Sequence, residues 1–231
     1  MPERTVLVAG GTGALGAAVL DAFLDDDWRV VATWIVPDER DRVEQRDGLD
    51  LVEADLLEPD GAAGAVSRAA NEASAPLRAV VNLVGGFAAG ANVDAAPIEE
   101  FERMLSLNLR PTYLTTQAAL PRLIASGGGA IACISARAAV QPFAGASGYV
   151  TAKAAVLAFA RAVAVEYGDA GVRCNAILPS VIDTPANRAA QPDADHARWV
   201  PPAEIATVIR FLCSDESKPT SGAAIPVYGR A

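Results

Sequence analysis

The chain has 231 residues, 52% of them hydrophobic, which suffices to bury one sizeable core and predicts a single domain over residues 1–231. Its 28 acidic and 19 basic side chains give a formal net charge of −9, excluding the basic face that nucleic acid or an anionic membrane would need as partner. The three cysteines, Cys133, Cys174 and Cys213, lack CxxC spacing and lie in apolar segments, so reduced core thiols are expected and a metal site is not.

From the N-terminus, Thr5–Ala9 is a continuous apolar run that predicts a buried parallel strand. Gly10-Gly11-Thr12-Gly13-Ala14-Leu15-Gly16 follows directly. The next segment has an apolar stripe at Val19, Leu20, Phe23 and Leu24, so the glycines occupy a strand-to-helix turn. Such a turn presents backbone N–H groups and the positive end of a helix dipole to a phosphate. Further strands are predicted near 29–34, 49–54, 78–84, 130–134, 172–178 and 224–228, and helices near 14–26, 60–73, 98–109, 112–126, 149–168 and 202–214. This alternation predicts an α/β fold, a doubly wound parallel sheet of about seven strands with helices on both faces.

In such a sheet ligands bind outside the C-terminal strand ends where the strand order reverses, here between the first and fourth strands. Gly10, Gly85, Tyr149 and Pro179 are expected to converge there. Gly127–Gly129 reads as a turn, the only histidine, His196, as a surface loop residue, and residues 183–201 as a mobile substrate lid. The first strand begins almost at the N-terminus and no apolar stretch is expected to reach ~18 residues, so neither signal peptide nor membrane span is expected and the protein reads as cytoplasmic.

Tyr149-Val150-Thr151-Ala152-Lys153 places a phenol and an ammonium four residues apart, on one face of a helix. A neighbouring positive charge favours the phenolate, so the pair suits proton transfer and Lys153 is expected to lower the Tyr149 pKa. Asn108, in a helix interior that disfavours asparagine, is a second candidate.

The glycine turn and the later Tyr-x-x-x-Lys, in this order, resemble the short-chain dehydrogenase/reductase family over the whole chain. Asp55-Leu56 stands where that family holds the adenine, and Val81-Asn82-Leu83-Val84-Gly85-Gly86 is similar to its NNAG strand end. Asn108 resembles its helix-kink asparagine, and Leu178–Thr184, with Pro179, Ile182 and Thr184, is similar to its PGxxxT segment over the nicotinamide. The resemblance implies an NAD(P)-dependent oxidoreductase acting on a small-molecule substrate, a C=O or conjugated C=N compound. Tyr149 would protonate the product, Lys153 would bind the ribose and tune Tyr149, and Asn108 would complete the relay. It also implies a homo-oligomer, tetramer or dimer, through the helices near 98–126 and 149–168, with Leu105, Leu109, Leu114 and Phe159 either in that contact or in the core.

Three departures from the family pattern are informative. Ala136 stands thirteen residues before Tyr149, where the family has a catalytic serine; Ser135 is expected on the opposite face, and Ser147 is the candidate substitute. The dihydropteridine reductases share this alanine, and the resemblance to them extends over Gly85–Gly90, Ala136–Val140 and Leu178–Arg188. A ketone or 3-oxoacyl substrate is the alternative, since Asn108 is typical of carbonyl reductases; a dinucleotide-binding sensor or scaffold is the alternative of another class. At the second strand's end Thr33-Trp34 replaces the acid of NAD-preferring members, which favours NADP over NAD, with Arg40 or Arg42 as partners for a 2′-phosphate. Leu83 replaces the second asparagine of NNAG.

Overall fold

The apolar runs form seven strands in the computed structural model, which describes residues 2–230: β1 Thr5–Ala9, β2 Arg29–Trp34, β3 Leu49–Glu53, β4 Leu77–Asn82, β5 Gly129–Ile134, β6 Val172–Pro179 and β7 Ala224–Val227. They make one sheet in the order β3-β2-β1-β4-β5-β6-β7, with every neighbouring pair parallel. The order reverses between β1 and β4, where Val8 pairs with Val81 and Ala9 with Asn82. This is the expected α/β doubly wound sheet.

Seven helices connect or flank the strands: α1 Ala14–Leu24, α2 Pro37–Arg40, α3 Pro59–Ala69, α4 Ile98–Ala125, α5 Ser147–Glu166, α6 Pro185–Ala190 and α7 Pro202–Cys213. Both faces of the sheet are covered, so β1 is buried along its whole length and reads as an unbroken apolar run. Leu7 and Ala9 join the core under α3, α4 and α5, with Leu123 and Val156, while Val6 and Val8 join the core under α1 and α7, with Phe23 and Ile209. Leu109, Leu114 and Phe159 pack against the first of these cores. All three cysteines are buried and free.

The structure departs from the sequence expectations in three places. The two helices predicted over 98–109 and 112–126 are one 28-residue helix that runs through Pro111. Proline in a helix interior costs ~3 kcal/mol or more, but Pro111 is buried beside Asn108, Thr112 and Thr115, so packing of the long helix offsets the lost bond. The short helices α2 and α6 were not expected; each starts on a proline, which is pre-set for a first helical turn.

The 183–201 segment, expected as a mobile lid, is mostly exposed and carries contacts within itself. Thr184 caps α6, Asn187 Nδ2 donates to the Ile182 carbonyl at 2.8 Å, Arg188 pairs with Asp183 at 2.5 Å, and Ile182 bridges to Val200. His196 Nε2 lies 2.8 Å from the Gln191 carbonyl, and its ring packs on Trp199. Finally, α5 itself is long and apolar enough to span a bilayer by composition, contrary to expectation. It instead packs beside α4 on one face of the sheet, burying Ala152, Val156, Leu157, Ala160 and Val163 and leaving Ala158, Ala162 and Val165 exposed.

Candidate active site

Gly10 leaves β1 in the left-handed region at φ +81°, where its N–H donates to Thr33 Oγ1 at 2.9 Å; Gly11 N–H donates to the Thr33 carbonyl at 3.1 Å. Thr33, expected as a cofactor contact, uses its buried hydroxyl as an acceptor that holds the glycine loop. A Cβ at Gly16 would collide with the Gly11 carbonyl, so that glycine serves close packing of loop on helix. At Gly13 a Cβ would meet nothing nearer than 3.7 Å, so packing does not dictate the glycine there. Gly13 is the N-cap of α1 and provides no side-chain cap, and the first turn holds no acid. The N–H groups of Ala14 and Leu15 thus open on a positive helix end suited to an anion, beside buried Thr12.

Along the same edge of the sheet, Trp34 is half-buried at the end of β2. Arg40 is engaged by Asp41 at 2.9 Å, which leaves Arg42 as the cation on this loop with no ion pair among the described residues. Asp55 is exposed beyond β3 and accepts the Leu57 N–H at 2.9 Å, whereas the Leu56 side chain lies in the core and has only backbone to offer a ligand.

At the other side of the reversal point, Asn108 is fully buried and binds the loop after β4. Its Oδ1 accepts the Gly86 N–H at 3.2 Å, and its Nδ2 donates to the Gly86 carbonyl at 3.1 Å and to the Met104 carbonyl at 2.9 Å. A Cβ on Gly85 would lie 2.5 Å from Asn108 Oδ1 and 3.1 Å from Lys153 Nζ, so the absent side chain brings these groups together. Gly10 joins the group through Val84, whose side chain would lie 3.0 Å from a Gly10 Cβ.

Tyr149 and Lys153 share one face of α5, with Nζ 5.9 Å from the phenol ring centroid and donating to the Ile134 carbonyl at 3.1 Å. Lys153 is only 5% exposed, and burial brings its pKa down to about 8 against a smaller upward pull from Cys133. Burial also pushes Tyr149 up to about 12, the reverse of the expected lowering. The reason is geometric: the ammonium is directed at a carbonyl, and the desolvated phenol resists charge. Near neutral pH Tyr149 is consequently a protonated donor.

Ser135 lies opposite the site as expected, giving its hydroxyl to the Lys153 carbonyl at 2.7 Å. Ala136 follows in extended backbone and is buried, so its methyl takes the other face. Ser147 opens α5 and lies about 200° around the helix from Tyr149, facing the 91–94 segment. Helix geometry thus sets it off the Tyr149–Lys153 face, although Ser147 and Tyr149 both line a small cavity with Phe101 and Met104. Pro179 ends β6 paired with Val227, Ile182 bridges to Val200, and the Thr184 hydroxyl accepts the Asn187 N–H, keeping its own O–H as a donor.

Two further residues stand beside Tyr149. The Phe87 ring meets the phenol edge-on at 5.0 Å, and Phe143 lies 6.4 Å from Phe87 at a tilt of 35°. Both are exposed, by 62% and 50%, although each is a large apolar side chain. The sequence signal for them is a lone aromatic among small residues, in Gly-Gly-Phe-Ala-Ala and Gln-Pro-Phe-Ala-Gly.

A family model described as enoyl-(acyl carrier protein) reductase matches residues 10–229. A 2-(R)-hydroxypropyl-CoM dehydrogenase of Xanthobacter autotrophicus is 30% identical over 98% of this chain and 98% of its own. The chain belongs to the short-chain dehydrogenase/reductase family. A 2,5-dichloro-2,5-cyclohexadiene-1,4-diol dehydrogenase of Sphingobium indicum is 31% identical, covering 98% of this chain and 95% of its own. Among solved structures, a short-chain type dehydrogenase/reductase from Mycobacterium ulcerans superposes with a TM-score of 0.91 at 26% identity, over 100% of this chain and 90% of that one.

As a short-chain dehydrogenase/reductase the protein is an NAD(P)-dependent oxidoreductase. Its residues fit the dinucleotide: the uncapped first turn of α1 suits a pyrophosphate, and buried Lys153 has donor hydrogens beyond the one given to Ile134.

Proposed function

We propose that this dehydrogenase/reductase reduces a cyclic, conjugated C=N or C=O substrate, as the dihydropteridine reductase resemblance implies, with Tyr149 as proton donor. The convergence of Lys153 Nζ and Asn108 Oδ1 on Gly85, with Tyr149 one helical turn from Lys153, supports reductase chemistry at this site, and the buried methyl of Ala136 carries the choice of a conjugated substrate. When bound, NAD(P)H supplies a hydride to the substrate carbon. Tyr149 gives its proton to the attached nitrogen or oxygen, so the bond is reduced by two electrons and two hydrogens. Lys153 would hold the ribose hydroxyls with its remaining donors, and its positive charge would stabilise the phenolate that forms. Asn108 fixes the Gly85-Gly86 backbone, which would help to hold the nicotinamide end of the cofactor.

The buried methyl of Ala136 favours a conjugated substrate. Loss of a donor aimed at a developing oxyanion typically costs ~10²–10³ in rate, and a delocalised product needs that donor least. A second reading, reduction of an isolated ketone, draws on Asn108 and on relatives whose names give hydroxyl-bearing substrates. In both readings Trp34, in place of an acid, favours NADP, with Arg42 at its phosphate. Nicotinamide fluorescence on titration, then cofactor oxidation with quinonoid dihydropterin, a 3-oxoacyl thioester and simple quinones, separates the readings. Cofactor binding without oxidation by any of them overturns both and leaves a sensor or scaffold.

Three buried free thiols support a reducing compartment, the cytoplasm. Tyr113 and Ile124 are exposed on α4 beside Phe159 of α5, which supports assembly of copies through these helices. Light scattering at micromolar concentration tests it, and a monomer overturns it.

A further inference from the structure

An exposed phenylalanine gains nothing from water, and two held side by side mark a surface with a use. Phe87 and Phe143 come from different loops, after β4 and after β5, yet those loops are fastened together. Gly90 N–H donates to the Gly145 carbonyl at 2.8 Å. Gly145 adopts φ +78°, and a Cβ there would lie 2.6 Å from the Gly90 carbonyl, so both the backbone twist and the close approach demand glycine. The Phe87 side is anchored again by Asn108 on Gly86. The two rings are thus presented at fixed spacing, 35° from parallel, and Phe87 contacts the phenol of Tyr149.

We infer that Phe87 and Phe143 form an aromatic platform that selects planar, conjugated rings and sets their reducible atom against Tyr149. The inference rests on the reductase reading above and gives its substrate a shape. Flat unsaturated rings match aromatic faces in offset or edge-on contact, whereas a puckered or acyclic ketone offers no face to match. The patch is continuous with the proton donor, which favours substrate over a second protein as its occupant.

The test compares Phe87→Leu, Phe143→Leu and Phe87→Trp with the parent protein. Leucine keeps apolar bulk and removes the flat face; tryptophan keeps the face. The measured quantity is the ratio of kcat/KM for menadione, a flat quinone, to that for ethyl acetoacetate, an acyclic ketone. Each leucine variant is expected to lower the ratio about tenfold, and Phe87→Trp to retain it. Binding of 2-naphthol, a flat ring that is not reduced, read by its own fluorescence, should weaken in parallel. An unchanged ratio in both leucine variants, or leucine serving as well as tryptophan, overturns the platform. So does a change of oligomeric state with no change of ratio, which assigns the patch to a second copy. If the parent oxidises no cofactor with either substrate, the reductase reading falls, and 2-naphthol binding alone then decides the platform.

Discussion

The carboxamide of Asn108 on α4 is bonded twice to the backbone of Gly86, accepting its N–H at 3.2 Å and donating to its carbonyl at 3.1 Å. A helix interior and a loop beyond β4 are thereby fixed to one another. Asn108→Ala should remove both bonds from a fully buried position, lowering stability by ~2 kcal/mol or more in urea denaturation. Turnover should fall at least ~10-fold, because Gly85-Gly86 is no longer held. Loss of stability with unaltered kcat would make Asn108 purely structural.

Tyr149→Phe retains the ring that packs on Phe87 at 5.0 Å and removes the proton. Turnover should drop ~10²-fold or more while cofactor affinity, read by nicotinamide fluorescence, changes little. Activity near that of the parent would remove Tyr149 from the mechanism.

For Lys153 the pH dependence has a defined sign. The folded group titrates near 8 because it is buried, and the unfolded lysine near 10.5. Between these values the unfolded chain binds more protons, so stability rises with pH across the window, and below it the burial cost is present in full. Lys153→Met should therefore be more stable than the parent at pH 7, by up to ~3 kcal/mol at 1.36 kcal/mol per unit. The gain should shrink toward zero by pH 10.5. The same variant should lose cofactor affinity and turnover together. Equal stabilities at pH 7 would mean that Lys153 is well solvated.

Ala136→Ser should add a hydroxyl on the face opposite Ser135. On ketones, turnover is expected to rise ~10-fold or more, since an oxyanion donor is supplied. On conjugated rings it should stay level or fall. High ketone turnover in the parent, abolished by Ser147→Ala, would return Ser147 to the site despite its place around α5.

Trp34→Asp sets a carboxylate at the end of β2, where it can accept from a ribose hydroxyl and repel a 2′-phosphate. The ratio of kcat/KM for NADPH to that for NADH should fall at least ~10-fold. A parent that already prefers NADH would overturn the reading of Trp34.

Much of this site was legible in the residues because glycine, proline and paired polar groups have few uses. Gly10, Gly13 and Gly16 defined a strand-to-helix turn, and Tyr149 and Lys153 defined a helix face. What stayed hidden depends on third partners. Thr33 reads as a ligand contact, and the further role of its hydroxyl, accepting the Gly10 N–H 23 positions away, has no signal in the sequence around it. Lys153 looked like a charge that lowers a phenol, but its direction toward Ile134 and its burial follow from packing alone. Pro111 looked like a helix end, and only the long contact of α4 with α5 shows why the helix continues. Phe87 and Phe143 carried weak local signal because their meaning lies in proximity across two loops.

The Gly90–Gly145 bond restricts how this enzyme can be re-engineered or diversify. Loops after β4 and β5 are natural places to exchange sequence, because each leaves the sheet intact. Here a graft of either loop alone loses a backbone partner and meets a carbonyl where only a hydrogen atom fits. Viable chimeras must carry both loops from one donor, so the mouth of the site is inherited as a pair.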